Sequence, residues 1–301
     1  MRFVYAGTHH FGALVLDELL VRGAHVVAVI TRPDKPRGRH GTPQPSEVKE
    51  SALAHGLPVL RPEGLTATLA DELTRMGAKA LAVCAHGAIV PQEFLDGMLT
   101  LVTHPSAVPR WRGAAPVERA LMSGETALAV ATLRMTAGVD EGPVGDLRSV
   151  YVPRDADAGE AYRLLAAAAA EGLLATLAAI EDGSVDWRDQ EGEPTRAPKL
   201  QKADRELRWN EPAAAIVDRV RALSPLVGAR TRIGGRDLTV WKARALAEAP
   251  EPAPDSPENT DRLILLAAEG WVELLEVQAP GGRRMAAAEY LRGAGRWLSR
   301  G

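Results

Sequence analysis

Three apolar runs that do not alternate with polar residues constrain this chain most: Phe3-Val-Tyr-Ala6, His25-Val-Val-Ala-Val-Ile30 and Ala80-Leu-Ala-Val-Cys84. A strand that is apolar on both faces has to be covered on both faces. Parallel strands with helices above and below them meet that need. Between the first two runs, Gly7 offers a turn, Leu14, Leu16, Leu19 and Leu20 recur at helical spacing, and Gly23 offers a stop. Strand, helix and strand at this spacing form a βαβ unit, so the N-terminal part is predicted to be doubly wound α/β with a mostly parallel sheet.

The pattern continues down the chain. Ser46 is placed to cap a helix that Gly56 closes. A short strand at Val59-Leu60, a helix over 66–76, strands over 80–84 and 99–104, a helix over 114–123, strands over 126–135 and 147–153 and a long helix over 158–181 are predicted next. Residues 183–208 then change character, with Asp186-Trp187, Glu193-Pro194 and Ala197-Pro198-Lys199-Leu200, and are expected to be a linker. Beyond a helix at 212–222, short strands alternate with turns, which predicts a small C-terminal β-barrel closed by a helix over 286–291. The expected division is therefore 1–182, a linker at 183–208, and a barrel domain, OB-like, at 209–301. A chain of 301 residues has room for both domains.

Several function classes are set aside by what the chain carries. Its single cysteine, Cys84, rules out an intrachain disulfide framework and a four-cysteine zinc site, and an inert thiol is expected in so apolar a run. The formal net charge of −3 argues against a general nucleic-acid coat while allowing local basic patches. No apolar run approaches the roughly 18 residues of a membrane span, the alanine-rich stretch over 164–180 being interrupted by Glu171. A cytoplasmic protein without a membrane partner is expected. The first turn, Ala6-Gly-Thr-His-His-Phe-Gly12, lacks the dinucleotide-binding glycine pattern, and no acidic residue ends the second strand. His9 and His10 are adjacent and point in different directions, so no metal is expected there. Two readings stand open for the basic stretch from Arg32 to Pro43, which includes Lys35, Arg37 and Arg39: a solvated loop, or a finger that meets phosphates. Arg283, Arg284, Arg292, Arg296 and Arg300 add a basic surface near the C-terminus.

The chemistry centres on Val102-Thr-His104-Pro-Ser106-Ala-Val-Pro109-Arg-Trp-Arg-Gly113. His104 stands where the chain leaves a strand for a loop, the usual position of reactive groups in α/β folds. Asp140 lies in a second glycine-punctuated loop, Gly138-Val-Asp-Glu-Gly142, after another apolar strand. An imidazole and a carboxylate on neighbouring strand ends would suit proton transfer. His86, in the loop after the third apolar run, is read either as lining a cleft or as a loop histidine bonded to backbone.

On these stretches the sequence resembles the folate-dependent formyltransferases, nearly end to end. Phe3-Val-Tyr-Ala-Gly7-Thr8, Thr31-Arg-Pro-Asp34, Arg110-Trp-Arg-Gly-Ala-Ala-Pro116, Ala197-Pro-Lys-Leu200 and Leu291-Arg-Gly293 all match the family, the Arg110 stretch being specific to its tRNA-acting branch. The resemblance implies formyl transfer from 10-formyltetrahydrofolate to the amino group of methionyl-initiator tRNA, by a monomer that needs no metal. It assigns His104 to stabilising the oxyanion and moving protons, and Asp140 to orienting His104. It assigns the folate to Gly87, Ala88, Ile89 and Val90, to Ser106, Ala107, Val108 and Pro109, and to Thr136, Ala137 and Gly138. It gives Lys35, Arg37, Arg39, Arg283 and Arg284 a role on the tRNA backbone. The family's asparagine, two residues before the histidine, is Val102 here. A slower enzyme, one compensated by His86, Thr103 or water, an enzyme for another amine such as an amino-sugar nucleotide, and a degenerate folate- or RNA-binding relative all remain open.

Overall fold

The structure, a computed structural model, describes residues 1–36, 42–251 and 261–294. Its contacts divide the chain into two compact units. The first holds 1–116, 127–151 and 162–197; the second holds 117–126, 152–161 and 198–301.

The first unit is built on a seven-stranded sheet. Its strands are β1 (Phe3–Gly7), β2 (Val26–Ile30), β3 (Val59–Leu60), β4 (Ala80–Cys84), β5 (Thr100–His104), β6 (Ala127–Arg134) and β7 (Val144–Tyr151). In space they run β7-β6-β5-β4-β1-β2-β3. The five strands from β5 to β3 are parallel, and β6 and β7 are added antiparallel at one edge. Two of the three unalternating runs are where burial requires them, every residue of β1 and β4 being buried, whereas in the second run His25 is exposed ahead of the strand and only Ala28, Val29 and Ile30 are fully buried. The edge strand β7 alternates instead, with Leu147, Ser149 and Tyr151 exposed.

The connecting helices begin with local signals. In α1 (His10–Val21), Val15, Leu16 and Leu19 pack inward. The Ser46 hydroxyl accepts from the Lys49 amide at the start of α2 (Glu47–Ala54), and the Thr66 hydroxyl accepts from Leu69 at the start of α3 (Ala67–Arg75). Such caps satisfy one of the free amides at each helix start, for about 1 kcal/mol. The short helix α4 (Gln92–Gly97) has no counterpart in the periodicity reading, because six residues after Pro91 are too few to show a repeat; Phe94 alone is buried. After α5 (Pro116–Met122), the long α6 (Ala158–Asp182) is apolar and long enough to cross a membrane by length and composition. That differs from the sequence reading. The helix nonetheless buries Leu165, Ala169, Ala170, Leu173 and Leu177.

The second unit packs α7 (Ala213–Leu223) and α8 (Ala287–Ala294) on an antiparallel half-barrel of β8 (Ala229–Ile233), β9 (Arg236–Leu246), β10 (Leu263–Leu266) and β11 (Trp271–Gln278). The order is β8-β9-β11-β10, with Met285–Ala286 paired to β11. Its core gathers Ile216, Val220, Leu238, Val240, Val272, Leu274, Val277 and Tyr290.

Candidate active site

Strand β5 delivers His104 at its C-terminal end, and pleating puts Val102 on the same face and Thr103 on the other. Val102 is half-buried and packs against the cluster of Val108, Ala131 and Leu133. It presents only methyl groups. The chain then turns at once, the Ser106 amide donating to the His104 carbonyl over 2.9 Å. Trp111 adopts a left-handed conformation (φ +60°), which aims its carbonyl back at the imidazole. His104 Nε2 lies 3.1 Å from that oxygen. A carbonyl can only accept, so Nε2 carries the hydrogen.

The other ring nitrogen, Nδ1, faces Asp140 Oδ1 at 3.6 Å. That distance is an ion pair when the ring is doubly protonated, but too long for a hydrogen bond. Both side chains are nearly buried, at 8% and 13% exposure, so water screens the pair little. Asp140 is held from two sides. Its Oδ2 accepts from the Gly113 amide over 2.9 Å, and its backbone is left-handed at φ +56°. Gly113 has to be glycine: with φ +123°, a Cβ there would stand 2.8 Å from the Ala197 carbonyl oxygen. At Gly142 a Cβ would collide with the Arg134 carbonyl oxygen at 1.8 Å, so the Asp140 loop can fold tightly on β6 only with glycine.

The segment over 188–197 laces both loops. Thr195 donates its amide to the Pro109 carbonyl and accepts from the Arg112 and Trp111 amides at 2.9 Å each, through its carbonyl and hydroxyl oxygens. Gln190 donates from Nε2 to the carbonyls of Asp140 (2.9 Å) and Gly142 (2.8 Å). Neither residue stands out in the sequence, since a glutamine fifty positions after Asp140 carries no spacing signal.

The other residues named from the sequence fall into distinct settings. Ser106, Val108 and Pro109 are buried and Ala107 is half-buried; the Ser106 hydroxyl has no hydrogen-bond partner among the described residues. In the loop after β4, Gly87, Ala88 and Ile89 are exposed while Val90 is buried in the core. Thr136 and Ala137 are exposed and Gly138 is half-buried. A hollow of about 530 Å³ opens beside Thr136 and Ala137, lined also by Leu95, Met98 and Thr100, at the end of β5 away from His104. Two large apolar side chains stand in water on these loops, Ile89 at 91% and Val139 at 61% exposure.

His86 is buried; its titratable neighbours are Arg32 and His9, and no described hydrogen bond or ion pair joins it to His104. Burial pushes its pKa down, Arg32 adds to that, and the Gly7 carbonyl partly opposes it. The Cys84 thiol is pushed up to about 12 by burial, against a small opposing hydrogen bond with Tyr5, which leaves it inert. His10 lies 3.9 Å from Glu47. Lys35 belongs to a two-residue pairing, Lys35–Pro36 with Pro43–Gln44, while Arg37 and Arg39 lie outside the described residues. Arg283 pairs with Glu289. Arg284 stacks on the Trp241 ring, 3.7 Å from its centroid, and donates to the Pro225 carbonyl.

The arrangement can accept a proton at an imidazole, stabilise the resulting cation with a neighbouring carboxylate, and do so at the C-terminal end of a parallel strand. Comparison with known proteins narrows the chemistry. The formyl transferase family matches residues 1–177, and the formyl transferase C-terminal domain family matches 199–295. The methionyl-tRNA formyltransferase of Solibacter usitatus is 38% identical over 299 residues, covering 97% of this chain and 96% of that protein. Among solved structures, HypX from Aquifex aeolicus in complex with tetrahydrofolic acid aligns with a TM-score of 0.66 at 19% identity, over 100% of this chain; the chain spans 48% of HypX. The methionyl-tRNA formyltransferase from Clostridium thermocellum aligns with a TM-score of 0.56 at 15% identity, over 82% of this chain and 94% of that one. At these identities the two structures share the fold. This chain belongs to the formyl transferase family, and the Solibacter usitatus relative, matched along nearly its whole length, is a methionyl-tRNA formyltransferase.

Proposed function

We propose that the protein transfers a formyl group from 10-formyltetrahydrofolate to the amino group of methionyl-initiator tRNA in the cytoplasm. The observation that carries the reading is the His104–Asp140 pair, 3.6 Å apart and nearly buried at the end of β5. In the transfer, the amine forms a bond to the formyl carbon, and that carbon's bond to the folate nitrogen breaks. The amine sheds one proton and the departing nitrogen gains one. His104 is suited to carry that proton, because its Nδ1 has a lone pair free of the ring's own hydrogen and stands 3.6 Å from Asp140 Oδ1. Trp111 holds the ring from the other side.

The loops around 87–90 and 136–140 suit a flat pterin. Ile89 and Val139 offer apolar surface that nothing among the described residues covers. The orphaned Ser106 hydroxyl beside His104 leaves polar capacity for a bound molecule. Lys35, Arg37, Arg39, Arg283 and Arg284 would meet the phosphates of the tRNA, a contact that weakens with salt. Of the two arginines the structure describes, Arg283 is the freer, its side chain 73% exposed.

Val102 bears on the rate. An oxyanion donor at that place is worth about 10²–10³ in turnover, and a valine supplies none. The enzyme is therefore expected to be slow, and Val102→Asn to raise kcat by up to about 10²-fold. The test is formylation of charged initiator tRNA with 10-formyltetrahydrofolate by the wild type and by Val102→Asn. Product from neither would overturn the proposal. Product from the variant alone would make the natural chain a binding relative that has lost the reaction.

A further inference from the structure

The structure places a carboxamide behind the loop that carries Asp140. Gln190, half-buried, donates both hydrogens of Nε2, to the carbonyls of Asp140 and Gly142, while its Oε1 accepts from Nε (3.1 Å) and Nη2 (2.7 Å) of Arg112. Those partners fix the orientation of the group. Turned over, its oxygen would face two carbonyl oxygens and its NH₂ would face a guanidinium. Arg112 in turn lies 3.4 Å from Glu141 in the same loop, and the backbone at 188 pairs with Val144 just beyond it. The Asp140 backbone therefore sits in a left-handed conformation with a brace behind it. A non-glycine residue in that conformation is held there by its surroundings.

We infer that Gln190 is a positioning residue, which acts by keeping the Asp140 carboxylate beside His104. The inference rests on the proposed formyl transfer for its kinetic consequence, and on the geometry alone for its structural one. Arg112 ties the brace to the His104 loop as well, since the Arg112 amide bonds to Thr195 and the next amide, Gly113, holds Asp140 Oδ2. One side chain thus connects the loops on either side of the imidazole. Displacements on the order of 1 Å at a reacting group cost about 10²-fold in rate, which sets the scale of the effect.

The test uses the full chain with Gln190→Leu, Gln190→Glu, Asp140→Ala and the double variant Asp140→Ala/Gln190→Leu. Glutamate keeps the size and the Arg112 contact but cannot donate, so Gln190→Glu separates the brace from simple packing. Both Gln190 variants are expected to lose about 10–100-fold in kcat with KM for the tRNA little changed, and to show faster amide hydrogen exchange over 136–142. The double variant is expected to be no slower than Asp140→Ala. Wild-type turnover in Gln190→Glu, additive losses in the double variant, or unchanged exchange over 136–142 would each overturn the inference. An inactive wild type would strike the proposed reaction, and the exchange comparison would then decide the brace by itself.

Discussion

Two buried carboxylates in this protein are treated in opposite ways. Glu273, on β11 in the second unit, is 6% exposed and has both oxygens occupied: Arg262 donates to Oε1 (3.1 Å) and Oε2 (3.0 Å), and Arg244 donates to Oε2 (2.7 Å). Arg262, and after it Arg244, hold its carboxyl below the usual range against the opposing effect of burial. Asp140, in the first unit, has one oxygen on the Gly113 amide, and the other stands 3.6 Å from an imidazole. Glu273 is closed, with nothing left for a third party. Asp140 keeps part of its interaction in reserve, and the imidazole it faces can change its charge. The carboxylate that stabilises structure and the one proposed to assist a reaction differ here in how completely their hydrogen bonds are already used.

The contrast can be broken most sharply at His104. His104→Ala is expected to lower kcat for formylation by about 10²–10⁴-fold while leaving the circular-dichroism spectrum unchanged; undiminished turnover would show that the half-open pair has no chemical use. The converse change, Glu273→Ala, is expected to leave turnover alone and to destabilise the second unit by about 1–3 kcal/mol, read from urea unfolding. Its pH dependence sharpens the point. The folded pKa of Glu273 lies below its unfolded value of about 4.3. The stabilisation is therefore complete above that value and is lost as pH falls through the folded pKa. Unfolding measured from neutral pH down to about 3 should show this acid loss in the wild type and a shallower one in Glu273→Gln. The smallest effect is expected at Arg244, whose side chain is 57% exposed: Arg244→Ala should cost only about 0–1 kcal/mol, because Arg262 still spans both oxygens.

The two carboxylates also differ in how far the sequence announces them. Glu273 faces Arg244 in the register of an antiparallel pair, where neighbours follow from strand alternation once the strands are known. Even so, no reading of the residues alone singled that pair out, because the register depends on turns whose lengths were open. His104 and Asp140 could each be named from its own strand-to-loop setting. Their separation could not, because it depends on the left-handed bends at Trp111 and Asp140. Gln190 was hidden altogether inside a stretch read as a linker, where it in fact ties two loops of the sheet unit together. Helix α4 escaped for a simpler reason, having too few residues to show a period.

The sequence by itself determined that the sheet is doubly wound and mostly parallel, and where most of its strands and helices follow one another along the chain. Unalternating apolar runs leave a strand no option but cover on both faces, and the Ser46 and Thr66 caps and the left-handed Gly23 just past the end of α1 set where the helices begin and end. It also determined that the Val102 side chain brings no polar atom to the site. Only the tertiary structure decided that an imidazole, a carboxylate and a carboxamide drawn from positions 104, 140 and 190 meet in one corner. That meeting depends on backbone bends and carbonyl directions summed over many residues, and no local rule of spacing encodes such a sum.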